Sequence, residues 1–357
     1  MSGKSEESQF ATGDRVTHAK FGNGTVTELH GGKVTVDFGK GEKKHIAQRF
    51  LSLASGFSRD NNLIPLHPNR LPSADLWVSR ENEDNPPTST TSEHKAPEPE
   101  LLETLDLAAL ANNPAKPRQF AIERIAPLGE VTMLFGPGSG GKSLLGQQLA
   151  TAAAAGLGQC LGLSIIETAS VYLSCEDDRR ELEWRQERLC EGLDVSLPAL
   201  AGKLHLVSWR GKLDNELAVF SSDGRMSLTN AFADIAHSVR TFKSRLVFLD
   251  NVAHLFTGNE NDRDDVTRFV NLLNRLAAAT GAAIVLIGHP NKAGDEYSGS
   301  TAWNNAVRSR LYLEHDADTD LRKLSLPKAN YSQKGAIVSF YWCAGTFVRD
   351  VDLPEDQ

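Results

Sequence analysis

Residues 136–143 have the sequence Gly136-Pro137-Gly138-Ser139-Gly140-Gly141-Lys142-Ser143, which fits the phosphate-loop pattern G-x-x-x-x-G-K-S. The apolar run Val131–Phe135 before it predicts a buried strand, and residues 144–155 after it predict a helix. A glycine-rich turn between a strand and a helix directs backbone N–H groups and the helix N-terminus at an anion. A chance glycine-rich turn is the alternative, but it leaves both flanks unexplained. We therefore expect this segment to bind a nucleoside triphosphate.

The residue types within the loop suggest separate roles. Lys142 is expected to reach the β- and γ-phosphates and to act in catalysis, and the Ser143 hydroxyl is expected to bind Mg²⁺. The residues expected to bind the nucleotide are Gly136, Pro137, Gly138, Ser139, Gly140, Gly141, Lys142, Ser143 and Leu144. The cofactors implied are ATP and Mg²⁺.

The composition is that of an ordinary globular protein, with 357 residues of which 40% are hydrophobic and 24% charged. No apolar run is long enough to span a membrane and no signal peptide is evident, so we expect a cytoplasmic protein with no membrane partner. The four cysteines lack metal-binding spacing and are expected to be reduced. The net charge of −8 argues against a broadly basic DNA-binding surface, but it leaves room for a local basic channel.

Proline and charge divide the chain into three parts. Residues 56–104 are rich in proline and acidic residues and lack periodicity, which predicts a disordered linker. The linker joins a module at residues 10–55 to a larger domain at residues 105–351. Residues 101–111 predict a short amphipathic helix that either docks on the larger domain or frays.

The module at residues 10–55 alternates apolar and polar residues between glycine-rich turns, which predicts a small antiparallel barrel. Gly22 and Gly24 are expected to form turns. Residues 13–26, 34–39 and 51–53 resemble the Tudor-like tail of UvrD/PcrA-type helicases. The resemblance implies an SH3/Tudor-like barrel that docks on RNA polymerase or DNA, and the alternative is a barrel that only aids solubility or assembly.

The larger domain alternates short β-branched runs with helical stretches, which predicts an α/β fold with a mostly parallel sheet. Further buried strands are expected at residues 170–174, 246–250 and 282–287, and helices at residues 179–192 and 266–279. The expected apolar positions of the first of these helices are Leu182, Trp184 and Leu189.

Carboxylates at the ends of two predicted strands suggest catalytic roles. Asp250 ends an apolar run, as in a Walker B element, and is expected to hold Mg²⁺ opposite Ser143. The next residue is Asn251, so the base that activates the attacking water must come from a neighbouring strand. Glu176 follows the predicted strand at residues 170–174 and is the candidate. The alternative is that Glu176 and Asp177 only cap the following helix.

Residues 117–348 resemble the RepA-like branch of RecA-fold ATPases, which includes ring-forming plasmid replicative helicases. The resemblance is carried by the phosphate loop, Tyr172-Leu173-Ser174-x-Glu176-Asp177, Leu249-Asp250, His289-x-x-Lys292, the Gly299-Ser300 segment ending in Arg308, and Lys328-x-Asn330-Tyr331. It implies a RecA-like P-loop NTPase core and a homo-oligomer, in this family a hexamer.

The resemblance also implies roles for residues after the Walker B strand. His289 would sense the γ-phosphate and act in catalysis, and the loop 290–300 with Lys292 would contact DNA. Arg308 would act in trans as an arginine finger, with Lys328 as a second basic residue between subunits. The alternatives are a satisfied strand-end histidine, a surface ion pair and a solvated lysine, and Arg310 rivals Arg308. The loop 254–265 is acidic and does not fit a DNA-binding channel.

We therefore expect an ATP-hydrolysing motor on DNA, a helicase or related translocase in replication or repair, with single-stranded DNA favoured. Two alternatives stay open. One is an ATP-dependent assembly switch with slow turnover, and the other is a recruitment factor whose residues 10–55 dock on RNA polymerase or another nucleic-acid machine. A small-molecule kinase is a fourth hypothesis, and the sequence argues against it because no acceptor-site signature is evident.

Overall fold

The computed structural model describes residues 101–102, 104–221, 225–289 and 301–352, together with residues 64–65 and, nearer the N-terminus, residues 10, 12, 14–18, 22–30, 33–38, 43–47 and 51–53. Most of the predicted linker lies outside these residues, as do Lys292 and the rest of the loop 290–300. The chain separates into two compact units, Met1–Leu63 and Ile64–Gln357.

The N-terminal unit contains a five-stranded antiparallel sheet. Its strands are β1 (Arg15–His18), β2 (Gly22–His30), β3 (Lys33–Asp37), β4 (Lys43–Ala47) and β5 (Leu51–Leu53). They lie in the order β4-β3-β2-β1-β5. Among the described residues, the buried apolar side chains of this unit are Phe10, Val16, Val26, Val34, Val36, Ile46 and Leu51. Alternating side chains thus build the core, while the likeness to a Tudor-like barrel stays a prediction.

Gly22 and Gly24 lie within β2, so the expectation that they form turns was wrong. A Cβ atom added at Gly24 would lie 2.6 Å from Val36 Cγ1 and 2.7 Å from Phe38 Cδ1. Glycine at this position therefore lets the side chains of the neighbouring strand pack over β2.

The larger unit is built from short strands and helices. Its strands are β6 (Ile64–Pro65), β7 (Phe120–Ile122), β8 (Ala126–Pro127), β9 (Val131–Phe135), β10 (Gln159–Cys160), β11 (Leu163–Ser164), β12 (Ser170–Ser174), β13 (Leu204–Ser208), β14 (Ala218–Phe220), β15 (Met226–Leu228), β16 (Leu246–Asp250), β17 (Ala283–Ile287), β18 (Ser309–His315), β19 (Leu321–Ala329), β20 (Gly335–Cys343) and β21 (Thr346–Arg349). Its α-helices are α1 (Leu107–Asn112), α2 (Lys142–Ala155), α3 (Arg179–Gly192), α4 (Asn230–Thr241), α5 (Val252–Leu255), α6 (Arg263–Thr280) and α7 (Thr301–Ala306). Two short 3₁₀ helices lie at Leu197–Leu200 and Asp350–Asp352.

Nine of these strands form one sheet, in the order β13-β12-β16-β17-β9-β18-β19-β20-β21. Adjacent strands are parallel from β13 to β18 and antiparallel from β18 to β21. This confirms the predicted α/β class with a mostly parallel sheet. The antiparallel end of the sheet, from β18 to β21, was not among the predicted features. The short strand β6 lies within the range of the predicted linker and pairs with β15.

Helices cover both faces of the sheet, so every residue of its central strands is buried. On one face α4, α6 and α7 enclose a core that includes Phe232, Phe269 and Trp303. On the other face α2 packs over Tyr172 and Phe248. The loops at the carboxyl ends of these strands are consequently held on a rigid support.

The acidic loop before α6 has a structural explanation. The Asp262 carboxylate accepts hydrogen bonds from the backbone N–H groups of Asp264 at 2.8 Å and Asp265 at 3.4 Å, so it caps the helix. Asp265 in turn accepts a hydrogen bond from the Asn259 N–H at 3.1 Å. Because of this cap, α6 begins three residues before the predicted start at residue 266.

One expectation about apolar residues, that of Trp184, was wrong. Leu182 and Leu189 of α3 are buried as predicted, but the Trp184 side chain is 53% exposed, since it lies on the outer face of the helix. Helix α1 covers only Leu107–Asn112 and buries none of its residues, so of the two alternatives for residues 101–111, docking or fraying, docking is not seen. Among the described residues, no helix combines the length and apolarity that crossing a membrane requires.

Candidate functional site

The predicted site residues after β9, β12, β16 and β17 meet at one edge of the sheet. These four strands are parallel neighbours, so their carboxyl ends lie side by side. The phosphate loop follows β9, Glu176 follows β12, Asp250 ends β16 and His289 follows β17. Open α/β sheets bind ligands at this edge.

The phosphate loop requires glycine at two positions. Gly141 has a φ of 92°, and an added Cβ would lie 2.5 Å from Phe347 Cζ. At Gly136 an added Cβ would lie 2.4 Å from the backbone carbonyl oxygen of Leu313. The loop is therefore pressed against β18 and β21, and α2 begins at Lys142 without a side-chain cap. The first N–H groups of such a helix suit an anion.

Lys142 is buried beneath this loop. Its ammonium group donates hydrogen bonds to the carbonyl oxygens of Gly136 and Pro137, both at 2.8 Å, and lies 3.3 Å from His289 Nδ1. Burial lowers the pKa of Lys142 to about 8, against the opposing effect of the Asp250 and Glu176 carboxylates. The lysine thus lies within the phosphate loop, beside any phosphate that the loop would bind, and its charge depends on pH near neutrality.

Asp250 is a buried carboxylate between two hydroxyl groups. Its Oδ2 accepts a hydrogen bond from Tyr172 Oη at 2.6 Å, and the Ser143 side chain is also hydrogen-bonded to it. Burial raises the pKa of Asp250, and the two hydrogen bonds oppose that rise. A buried carboxylate next to a hydroxyl at a phosphate loop is the donor set that Mg²⁺ takes when phosphates supply further ligands.

The donor set therefore fits the predicted metal, with Ser143 and Asp250 as the protein's contribution. Among the described residues, no group of three or more His, Cys, Asp or Glu could hold a metal ion. A site of one carboxylate and one hydroxyl is consequently incomplete without the nucleotide. Mg²⁺ bound there would neutralise phosphate charge and polarise the phosphoryl group.

Glu176 faces the same space as Lys142 and His289. Its Oε1 accepts a hydrogen bond from the Asn251 side-chain amide and lies 4.0 Å from His289 Nε2. The side chain is 45% exposed. Burial, and then the Lys142 charge, lower the pKa of His289, which favours the neutral imidazole. A half-exposed carboxylate held by an amide beside a neutral imidazole has the geometry of a general base.

The helix-capping alternative for Glu176 does not match the structure. The residue that caps α3 is Asp178, whose carboxylate accepts the Glu181 N–H at 2.9 Å. Asp177 instead pairs with Arg185, at 2.9 Å. The side chain of Glu176 is thus directed to the site and is not used by the helix.

Arg308 and Lys328 lie at the opposite edge of the sheet. Ser309, which follows Arg308, is paired with Thr132 at the start of β9, so Arg308 lies roughly 15 Å along the strands from Gly136. Arg308 is exposed. Lys328 Nζ donates to the carbonyl oxygen of Asn304, and its pKa is lowered by burial and then by the nearby charge of Arg308. Neither side chain meets the phosphate loop of its own subunit.

The rival residue Arg310 is enclosed by the fold. It is 3% exposed, and its guanidinium carbon lies 5.0 Å from the centre of the Phe135 ring. A side chain that is buried within its own chain in this way is poorly placed to reach a second molecule. The exposed Arg308 is therefore the better candidate for an arginine finger.

The family model described as an AAA domain (AAA_25) matches residues 95–295, more than half of the chain. The chain belongs to the AAA domain family. The matched range contains the phosphate loop, Glu176, Asp250 and His289, so the larger unit is a P-loop ATPase. Arg308 and Lys328 lie beyond that range. Among solved structures, the chain is similar to a crystal structure of the RadB recombinase, with 14% identity, a TM-score of 0.45, and coverage of 62% of this chain and 91% of that chain.

Two buried side chains contact the candidate site although the sequence motifs do not point to them. The Asn251 amide donates to Glu176, while its Oδ1 caps α5. The Tyr172 hydroxyl donates to Asp250. A polar residue directly after a Walker B aspartate was the available signal for Asn251. The role of Tyr172 required the pairing of β12 with β16.

Proposed function

We propose that this protein is an ATP-hydrolysing RecA/RepA-like motor that acts on DNA, a helicase or related translocase whose active sites form between subunits. The observation that carries the proposal is the separation of two groups of residues on one sheet. The phosphate loop, Glu176 and Asp250 share the carboxyl edge, and the exposed Arg308 lies at the other edge. A second subunit is needed to bring them together.

In this proposal the residues of one subunit perform the proton transfer. Glu176 accepts a proton from the attacking water, whose oxygen bonds to the γ-phosphorus while the bond to the bridging oxygen of ADP breaks. Asn251 orients the Glu176 carboxylate, and His289 lies between Glu176 and Lys142. His289 can therefore respond to a change at the γ-phosphate and relay it to the residues that follow β17.

The neighbouring subunit supplies the remaining positive charge. The guanidinium of Arg308 stabilises charge on the transferred phosphoryl group, a contribution that is typically worth about 10³- to 10⁵-fold in rate. Lys328 adds a second positive charge at the same edge. The side chains of a single subunit support nucleotide binding, while rapid turnover needs an assembled homo-oligomer, a hexamer by the resemblance to RepA-like proteins.

DNA binding and location complete the proposal. The loop 290–300 with Lys292 is the expected contact to single-stranded DNA, and residues 10–55 are the expected docking module for RNA polymerase or DNA. We place the protein in the cytoplasm. The alternative functions are an assembly switch with slow turnover or a recruitment factor that works through residues 10–55.

Steady-state ATP hydrolysis with and without single-stranded DNA tests this function, with the oligomeric mass measured in the same samples. We expect an oligomer whose rate of ATP hydrolysis rises at least several-fold when single-stranded DNA is added. Lys292→Ala should lose most of that stimulation while keeping the rate without DNA. Hydrolysis that ignores DNA in an oligomer would favour the switch, and capture of RNA polymerase by the full chain, lost when residues 10–55 are removed, would favour the recruitment factor.

A further inference from the structure

Tyr172 is a fully buried tyrosine whose hydroxyl ends at the magnesium-binding carboxylate. It lies on β12, which pairs with β16 so that Tyr172 is level with Phe248 and Ser174 with Asp250. Its Oη donates to Asp250 Oδ2 at 2.6 Å. The tyrosine therefore reaches two residues along the neighbouring strand to the one carboxylate on that strand.

The Tyr172 ring occupies space that a side chain at Gly146 of the facing helix would otherwise fill. Gly146 lies in α2, and a Cβ added there would lie 3.0 Å from Tyr172 Cε2 and 3.2 Å from Phe248 Cδ1. Glycine in a helix interior is destabilising relative to alanine, because it loses more backbone freedom on folding. The phosphate-loop helix thus carries an unfavourable residue where the tyrosine ring passes beneath it.

The two hydroxyls on Asp250 act from different sides of the carboxylate. Ser143 belongs to the phosphate loop and is itself an expected metal ligand, whereas Tyr172 belongs to the sheet and cannot move with the loop. Hydrogen bonds from fixed groups orient metal-binding side chains, and removing them typically weakens metal binding about 10- to 100-fold.

We propose that Tyr172 is a positioning residue for Mg²⁺: its hydroxyl holds Asp250 in the orientation in which the carboxylate and Ser143 bind the metal together. This inference rests on the proposed magnesium site. A purely structural role is the competing explanation, because a buried tyrosine hydroxyl needs an acceptor whatever that acceptor does. The two explanations differ in whether loss of the hydroxyl changes the response to Mg²⁺.

The test uses Tyr172→Phe in the full chain, with ADP binding measured by calorimetry in EDTA and across a Mg²⁺ titration. Tyr331→Phe is the matched control, because Tyr331 Oη also donates to a carboxylate, Glu130, at 2.9 Å, but at the other edge of the sheet. We expect ADP affinity in EDTA to stay within about twofold for both variants. The Mg²⁺ concentration that gives half of its effect should rise about tenfold or more in Tyr172→Phe alone.

A Mg²⁺ response in Tyr172→Phe equal to that of the wild type would overturn the inference and leave Tyr172 with a packing role. If the wild type itself shows no effect of Mg²⁺ on ADP binding, the magnesium site is wrong and the inference fails with it. Should Tyr172→Phe not fold, Gly146→Ala provides a second variant, since its methyl group would lie 3.0 Å from Tyr172 Cε2 and so requires the ring to shift by a few tenths of an ångström while the hydroxyl is kept. A weakened Mg²⁺ response, smaller than that of Tyr172→Phe, is expected there, and an unchanged response would again contradict the proposal.

Discussion

The Nδ1 atom of His289 lies 3.3 Å from the ammonium nitrogen of Lys142, and the other ring nitrogen lies 4.0 Å from Glu176 Oε1. An ammonium group only donates hydrogen bonds, so Nδ1 is the acceptor and the proton of the neutral ring is on Nε2. This proton faces the carboxylate. One imidazole therefore connects the phosphate-loop lysine with the candidate base.

Lys142 gives the first prediction, a pH dependence of nucleotide binding. Its pKa is about 8 in the free protein because it is buried, and phosphates will raise that pKa when they bind. Affinity is then full below about pH 8 and falls as the free lysine loses its proton. In EDTA, we expect ADP affinity to fall about tenfold between about pH 7 and about pH 9. Lys142→Arg stays charged and should show a flatter profile, and equal profiles would contradict the assignment.

Glu176→Gln should separate binding from hydrolysis. The glutamine keeps the size of the side chain and cannot accept the proton of the attacking water, so we expect turnover to fall about 10²- to 10⁴-fold. ATP affinity and oligomeric mass should stay near the wild-type values. Glu183→Gln on the exposed part of α3 is the control and should hydrolyse ATP normally. Comparable turnover in Glu176→Gln and the wild type would place the base elsewhere.

Asn251→Asp tests whether the amide next to Asp250 orients Glu176. Aspartate can still cap α5 through the Ala253 N–H, but its charge repels the Glu176 carboxylate. We expect kcat to fall about tenfold or more. The melting temperature should fall as well, because the new carboxylate is buried beside Asp250 and Glu176. Asp262→Asn, a cap exchange at the start of α6, controls for effects on helix ends. A rate in Asn251→Asp equal to that of the control variant would remove the orienting role.

Gly136→Ala should destabilise the protein even without nucleotide. The added Cβ would lie 2.4 Å from the Leu313 carbonyl oxygen, which is backbone and cannot rotate away. Overpacking of this kind typically costs about 1–3 kcal/mol. Gly138→Ala is the matched control within the same loop, because no atom lies within 4 Å of its added Cβ. Thermal unfolding of both variants without ligand should show a lower melting temperature for Gly136→Ala alone.

The sequence was sufficient for the features that depend on local patterns. Apolar runs and the G-x-x-x-x-G-K-S motif predicted the buried strands, the phosphate loop and α2. The ends of strands predicted that Asp250 and Glu176 share an edge, because parallel strands bring their carboxyl ends together. His289 was expected there only from the resemblance to RepA-like ATPases.

Features that depend on pairing between distant segments were not predictable in the same way. The antiparallel strand β20 alternates too weakly to show where it joins the sheet. The place of β19–β21 depends on β18 lying beside β9. The contact of Tyr172 with Asp250 joins residues that are 78 positions apart. The sequence alone does not show how wide the buried face of α3 is. Trp184 was therefore expected to be buried with Leu182 and Leu189, although it is exposed.

The central claim is that one active site uses residues of two subunits. Mixing two variants that are each defective tests this claim directly. Glu176→Gln lacks the base and Arg308→Ala lacks the finger, so each alone should hydrolyse ATP slowly. In an equal mixture, about one interface in four pairs an intact Glu176 with an intact Arg308 from the neighbour. We predict that the mixture regains up to about a quarter of the wild-type rate, and that mixing Glu176→Gln with Lys142→Ala, both defective on the same side, regains none. An Arg308→Ala protein as active as the wild type, or a mixture no faster than its components, would contradict the shared site.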